Sequence, residues 1–238
     1  MSKRAIFIFI WIGCILGTWA VLPYAYYIGA VNFDQFHIGP MLLAAFQAAV
    51  IYGIACRLGF VLLKKVDFDP FNLSFGSPKN IFKEIFFPGC VMGTLLSFLI
   101  FGLDKYVFHG TTVGIVKHPP VWASLLASIY GGLNEEVLTR LFLLTLLYFL
   151  LCKLFQKFPN MFPTLLWCSI FLTALLFALG HLPALFKIMP HPSLALLSRV
   201  IVLNSLGGIV FGWLYCKKSF WTAVVAHFTT DLFLHVIL

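Results

Sequence analysis

The sequence predicts an all-α, polytopic transmembrane bundle of about seven to eight membrane helices, on three observations. Hydrophobic residues fill 61% of the 238 positions and charged residues 10%. Mean hydropathy is +1.00, far outside soluble globular usage. Six apolar stretches have spanning length, at about 5 to 22, 41 to 63, 85 to 103, 163 to 182, 194 to 215 and 219 to 238, with a seventh, longer run from Val121 to about Leu151.

The first stretch follows MSKR, as a signal peptide would. It runs on through aromatic residues and Pro23 without a small-residue cleavage site, so it reads as a retained span. Seven crossings with the N-terminus in the cytoplasm place Lys3, Arg4, Lys64, Lys65, Lys79, Lys83, Lys153, Lys157, Lys217 and Lys218 inside. Lys105, Lys117 and Lys187 fall outside. Dividing the long run into two full crossings would carry Lys153, Lys157, Lys217 and Lys218 outside. One crossing is therefore expected, kinked or broken near Gly131, Gly132 and Asn134, where glycine weakens the helix. The net charge of +8 follows from this anchoring and from attraction to anionic headgroups, with no nucleic-acid partner implied.

The chain reads as one membrane domain over residues 1–238. Its longest polar interval, KKVDFDPFNLSFGSPKNIFKE from Lys64 to Glu84, is expected to be a cytoplasmic loop at the interface. The outer loop, 104 to 120, ends in Pro119 and Pro120, which suit the start of a helix. Glycine pairs at four-residue spacing, Gly13 with Gly17, Gly89 with Gly93 and Gly208 with Gly212, predict close helix contacts. Six cysteines are scattered without CxxC spacing, which indicates neither a disulfide framework nor a zinc knuckle.

Eight acidic residues are present, and three of them, Glu135, Glu136 and Asp231, lie within apolar runs together with His181, His227 and His235. A charge at bilayer depth costs at least about 2.5 to 3.5 kcal/mol, so such residues face a polar interior and mark function. Glu136 stands four residues before Arg140 and shares a helical face with it, whereas Glu135 points about 100° away. One carboxylate is thus paired, and its neighbour is left without a local cation to act as a base. His227 and Asp231 share a face at four-residue spacing, which suits orienting an imidazole, binding a metal or surrounding a substrate carbonyl. His181, just before Pro183, and His235 read by themselves as capping or structural residues. No serine or cysteine lies beside a histidine and an acid as a covalent triad would need.

Three motifs in order, Glu135-Glu136 with Arg140 as EExxxR, Phe177 with His181 as FxxxH, and His227 with Asp231, resemble the CPBP group of intramembrane proteases. That group includes the CAAX prenyl endopeptidases and the bacterial Abi proteins. The stretch GGIVFGWLYCKKSFWTAVVAH also looks like the family, through Gly208, Gly212, Tyr215, Trp221 and Ala223, and the likeness covers about residues 119–238. It implies a peptidase whose site is a water-filled cavity among helices. In that scheme Glu135 activates water with help from His181, His227 and Asp231 stabilise the oxyanion, and Glu136 and Arg140 hold the first motif in shape. The implied partner is a membrane-associated protein or peptide, cleaved near its C-terminus in the CAAX members.

No metal is expected, because HExxH is absent; the alternative is zinc held by His181, His227 and Glu135. Asp231 stands where the best-known CAAX endopeptidases have Asn. Ionised, it cannot donate to an oxyanion, so it must be protonated or must orient His227. The span limits put His181 near the outer end of its helix and His227 nearer the inner third of its own, so a shared site requires a tilted or broken helix. Short loops point to a compact prokaryotic inner-membrane enzyme. The rival class, a proton- or ion-coupled transporter using the same Glu/His/Asp set, predicts internal repeats, and none is visible. A scaffold whose polar set merely locks helices is the remaining reading.

Overall fold

The computed structural model describes residues 2–71, 78–111 and 119–237. Among the described residues seven helices are long and apolar enough to cross a membrane: Lys3–Tyr27 (α1), Ile38–Lys65 (α2), Pro78–Tyr106 (α3), Val121–Leu154 (α4), Pro159–Ile188 (α5), Leu194–Lys217 (α6) and Phe220–Ile237 (α7). No strand occurs among the described residues.

Contacts between chain-distant residues show that successive helices alternate in direction. At one end, Lys3 Nζ lies 2.9 Å from Asp69 Oδ2, and the Phe220 N–H donates to the Pro70 carbonyl at 3.0 Å. These bonds join the starts of α1 and α7 to the segment leaving α2. At the other end Tyr24 meets His235, and Arg199 Nη2 donates to Asp104 Oδ2 at 2.9 Å. The first end carries Lys64, Lys65, Lys79, Lys83, Lys153, Lys157, Lys217 and Lys218.

The long apolar run is one helix of 34 residues, but it is not broken at its glycines. The chain instead winds as a π-helix over Gly131–Glu135 and again over Val137–Leu144, a wider turn frequent at functional sites. Thr139 and Thr145 hydroxyls donate to the Glu135 and Arg140 carbonyls within it. Asn134, read from sequence as a residue that loosens the helix, ties helices together: fully buried, its Nδ2 donates to the Cys14 carbonyl of α1 at 2.7 Å.

The interval after α2 is likewise more than an interfacial loop. Pro70 and Phe71 are buried, and the Phe71 ring packs 5.0 Å from Phe60 and 5.1 Å from Phe220. Aromatic residues in that polar interval gain more by entering the bundle end than by lying at the interface. Its residues 72–77 lie outside the described residues, as do 112–118 of the second loop, including Lys117 and His118. Pro120 directly precedes α4, as its position predicts. All six cysteines are free thiols.

Close packing falls where the glycine pairs foretell it. A Cβ at Gly89 would meet Val225 Cγ1 of α7 at 2.7 Å, and one at Gly208 would meet Ala174 of α5 at 2.7 Å. At Gly93 the obstacle is backbone, the Ala226 carbonyl at 2.5 Å, so a side chain cannot be accommodated by a rotamer change. Gly93→Leu should therefore cost about 1–3 kcal/mol by overpacking, read as a lowered thermal midpoint in detergent. Gly102→Ala, with nothing within 4 Å of its Cβ, should show no loss.

Candidate active site

Arg140 and Glu136 are both completely buried, with Nη1 2.9 Å from Oε1. A buried charge is tolerated when it is paired and hydrogen-bonded, and Arg140 is supplied on several sides. Nη2 donates to the Gly208 carbonyl at 3.2 Å, and Nη1 also contacts the Thr139 hydroxyl. The guanidinium faces the rings of Phe177 at 4.9 Å and Phe211 at 5.5 Å, a cation–π arrangement on two sides.

The same Glu136 oxygen also meets His227 Nδ1, at 2.8 Å. A carboxylate only accepts, so Nδ1 carries the hydrogen and donates it. The other nitrogen, Nε2, stands 3.7 Å from Glu135 Oε2 and 3.7 Å from Asp231 Oδ2. Phe211 stacks on the imidazole at 4.4 Å and 18°, while Phe177 approaches at 5.9 Å and 88°. Gly131 leaves the space into which Asp231 reaches, since a Cβ there would overlap Asp231 Oδ2.

Helical spacing separates the two glutamates by face and leaves Glu135 on its own. In the structure both carboxylates address one imidazole, from opposite nitrogens. The wider π turn reduces the rotation between successive residues, and α7 inserts His227 between the two side chains. A functional difference persists in exposure: Glu136 shows 0% of its side chain, against 24% for Glu135 and 20% for Asp231. Solvent therefore reaches Glu135 and Asp231, while Glu136 stays behind the imidazole.

His181 occupies the point where α5 interrupts its regular winding, between Gly180 and Leu182. The seven residues after it, Leu182–Ile188, form a separate helical segment. His181 Nδ1 bonds to the Phe177 carbonyl at 2.9 Å, so in the neutral ring Nε2 is the accepting nitrogen. The ring lies 4.7 Å from Phe177, edge-on, and its link to His227 runs through that aromatic ring. Phe211 was invisible in the sequence as a site residue; an apolar residue in an apolar helix carries no signal, apart from its spacing from Gly208 and Tyr215. His235 packs 3.4 Å from the Tyr24 hydroxyl, at the end of α7. Among the described residues no three His, Cys, Asp or Glu side chains are grouped to hold a metal.

Residues 117–233 match the family model described as type II CAAX prenyl endopeptidase Rce1-like. The match spans every side chain of this cluster. No curated protein and no solved structure matches the chain.

Truncating one partner of the buried pair leaves the other charge unpaired. Arg140→Ala should destabilise the protein by about 3–5 kcal/mol, measured by thermal unfolding in detergent. The double variant Glu136→Gln/Arg140→Met should lose less than the sum of the two single changes.

Proposed function

We propose that the chain, whose residues 117–233 match the Rce1-like model of type II CAAX prenyl endopeptidases, is an intramembrane CAAX-type protease with Glu135 as its general base. The observation that carries this reading is the placement of Glu135 and Asp231 at equal distances from His227 Nε2, both partly exposed while their supports are buried. In the proposed reaction Glu135 takes a proton from water, and the resulting hydroxide adds to the peptide carbonyl. His227 then donates from Nε2 to the developing oxyanion. With Nδ1–H held by Glu136, it can do so only as imidazolium. Asp231, when protonated, is a second donor to the same oxygen.

His181 is proposed to assist through Nε2 by accepting a hydrogen bond from the attacking water, and Glu135 then passes the proton it took from that water to the departing amine as the C–N bond breaks. Glu136, Arg140, Phe177 and Phe211 position these groups without touching substrate. The proposed hydrolysis proceeds without a metal. Its substrate is proposed to be a membrane-associated protein or peptide cut near its C-terminus, in keeping with a family described by CAAX prenyl cleavage. We also propose that the lysine-rich end, with the N-terminus, faces the cytoplasm of a prokaryotic cell, because positive charge is retained on that side.

A comparison of protein C-termini in membranes from cells carrying wild type or Glu135→Gln checks the assignment. Fragments made by the wild type should fall by about 10²-fold or more with Glu135→Gln, while the variant accumulates as folded protein; undiminished cleavage would sink the proposal. At Asp231, Asn retains a donor and should preserve cleavage, whereas Asp231→Ala should abolish most of it.

A further inference from the structure

A cleft of about 520 Å³ runs beside α7, lined by Phe86 and Cys90 of α3, Gly132 of α4, and Trp221, Phe228 and Phe233 of α7. Phe86 and Cys90 are exposed, so the cleft opens sideways to lipid. Among the described residues no charged side chain lines it, and the Thr229 hydroxyl within its wall lies 3.8 Å from the Cys90 sulfur. Glu135, His181, His227 and Asp231 are not part of the lining. Helical rotation turns Phe228 about 100° from His227, and the cleft lies on that other side of α7.

From Trp221 to Phe233 the cleft follows α7 for about 18 Å, close to the depth of one leaflet in a hydrocarbon core about 30 Å thick. Its Trp221 end is the lysine-rich end. Lys218 stands three residues before Trp221 and Lys83 three before Phe86, and both are exposed, as are Arg4, Lys79 and Lys217. None of these cations forms an ion pair among the described residues. The three helix starts are in contact here: Phe9 of α1 sets its ring 6.0 Å from Trp221, and the Thr222 hydroxyl donates to the Glu84 carbonyl of α3 at 3.3 Å. The exposed Glu84 side chain offsets one of the charges. A cationic excess thus stands at one end of an uncharged, leaflet-deep cleft.

We propose that the cleft seats an acyl chain of an anionic glycerophospholipid from the leaflet at the lysine-rich end, with the lipid phosphate held by Lys79, Lys83, Lys217 and Lys218. A hydrocarbon chain supplies the dispersion contacts that the apolar wall otherwise lacks. A zwitterionic lipid fills the cleft equally well but gains little from the lysines, so headgroup charge is the selective element. The seated chain packs against Gly132 and Phe228, the neighbours of Gly131 and His227, and braces α4 against α7 from the side away from the Glu135–His227 cluster. Lipid binding of this kind is independent of the protease reading.

Photo-crosslinking of the purified protein in detergent provides the test. The probe is a phosphatidylglycerol with a diazirine in one acyl chain, compared with a phosphatidylcholine of identical chains. Phosphatidylglycerol should label peptides covering 86–94 and 221–233, exceeding phosphatidylcholine by about fivefold for each lysine engaged. Changing Lys79, Lys83, Lys217 and Lys218 together to Gln should bring the two probes level. Cys90→Trp and, separately, Thr94→Phe fill the cleft and should lower labelling by both. Equal labelling by the two probes in the wild type would overturn the proposal, as would labelling indifferent to both filling variants. Displacement of the probe by a farnesylated peptide, but not by unlabelled phosphatidylglycerol, would also overturn it by giving the cleft to a substrate chain. The lysine variant alters only exposed side chains, so the charge comparison holds even where a filling variant fails gel filtration.

Discussion

A fully buried arginine in a membrane helix imposes its needs on everything around it. Arg140 must be neutralised, and Glu136, one turn earlier, does this within α4. Because the same Glu136 oxygen also accepts from His227 Nδ1, the pairing reaches α7 and settles which imidazole nitrogen faces Glu135 and Asp231. Phe177 of α5 and Phe211 of α6 close over the guanidinium. Four helices are thereby joined at one charge, and the side of His227 that faces Glu135 and Asp231 is oriented by the group that holds the fold together.

Backbone winding makes this convergence possible. In a regular α-helix adjacent glutamates diverge, and a single histidine is poorly placed to meet both. The π turns from Gly131 onward alter that relation, and Gly131 itself makes room for Asp231. Asn134 anchors the wound region to α1 through the Cys14 carbonyl, so the departure from α-helical geometry is held by a side chain rather than left loose. On the far side of α7, Gly89 and Gly93 let α3 approach to backbone contact, which fixes the helix bearing His227 and Asp231.

The bundle is also polar in its packing. Aromatic residues from the segment after α2 pack into one end, where Phe71 meets Phe60 and Phe220, while Glu135 and Asp231 keep part of their side chains exposed. Glu136 and Arg140, completely buried, act in a setting where electrostatic interactions are less screened.

Much of this was legible from residue order. Composition and apolar run lengths determined a seven-span helical bundle, lysine placement determined that the long run crosses once, and the rarity of intramembrane acids singled out Glu135, Glu136 and Asp231. Four-residue spacing determined the Glu136–Arg140 pair, because it is local to one helix. Tertiary structure alone decided the rest. That His227 binds Glu136 rather than Asp231 by its hydrogen-bonded nitrogen, that Phe211 stacks on it, and that Phe71 plugs one end are contacts between chain-distant elements. They depend on how helices rotate and wind against one another, and an apolar pattern common to every face of a membrane helix does not encode that rotation.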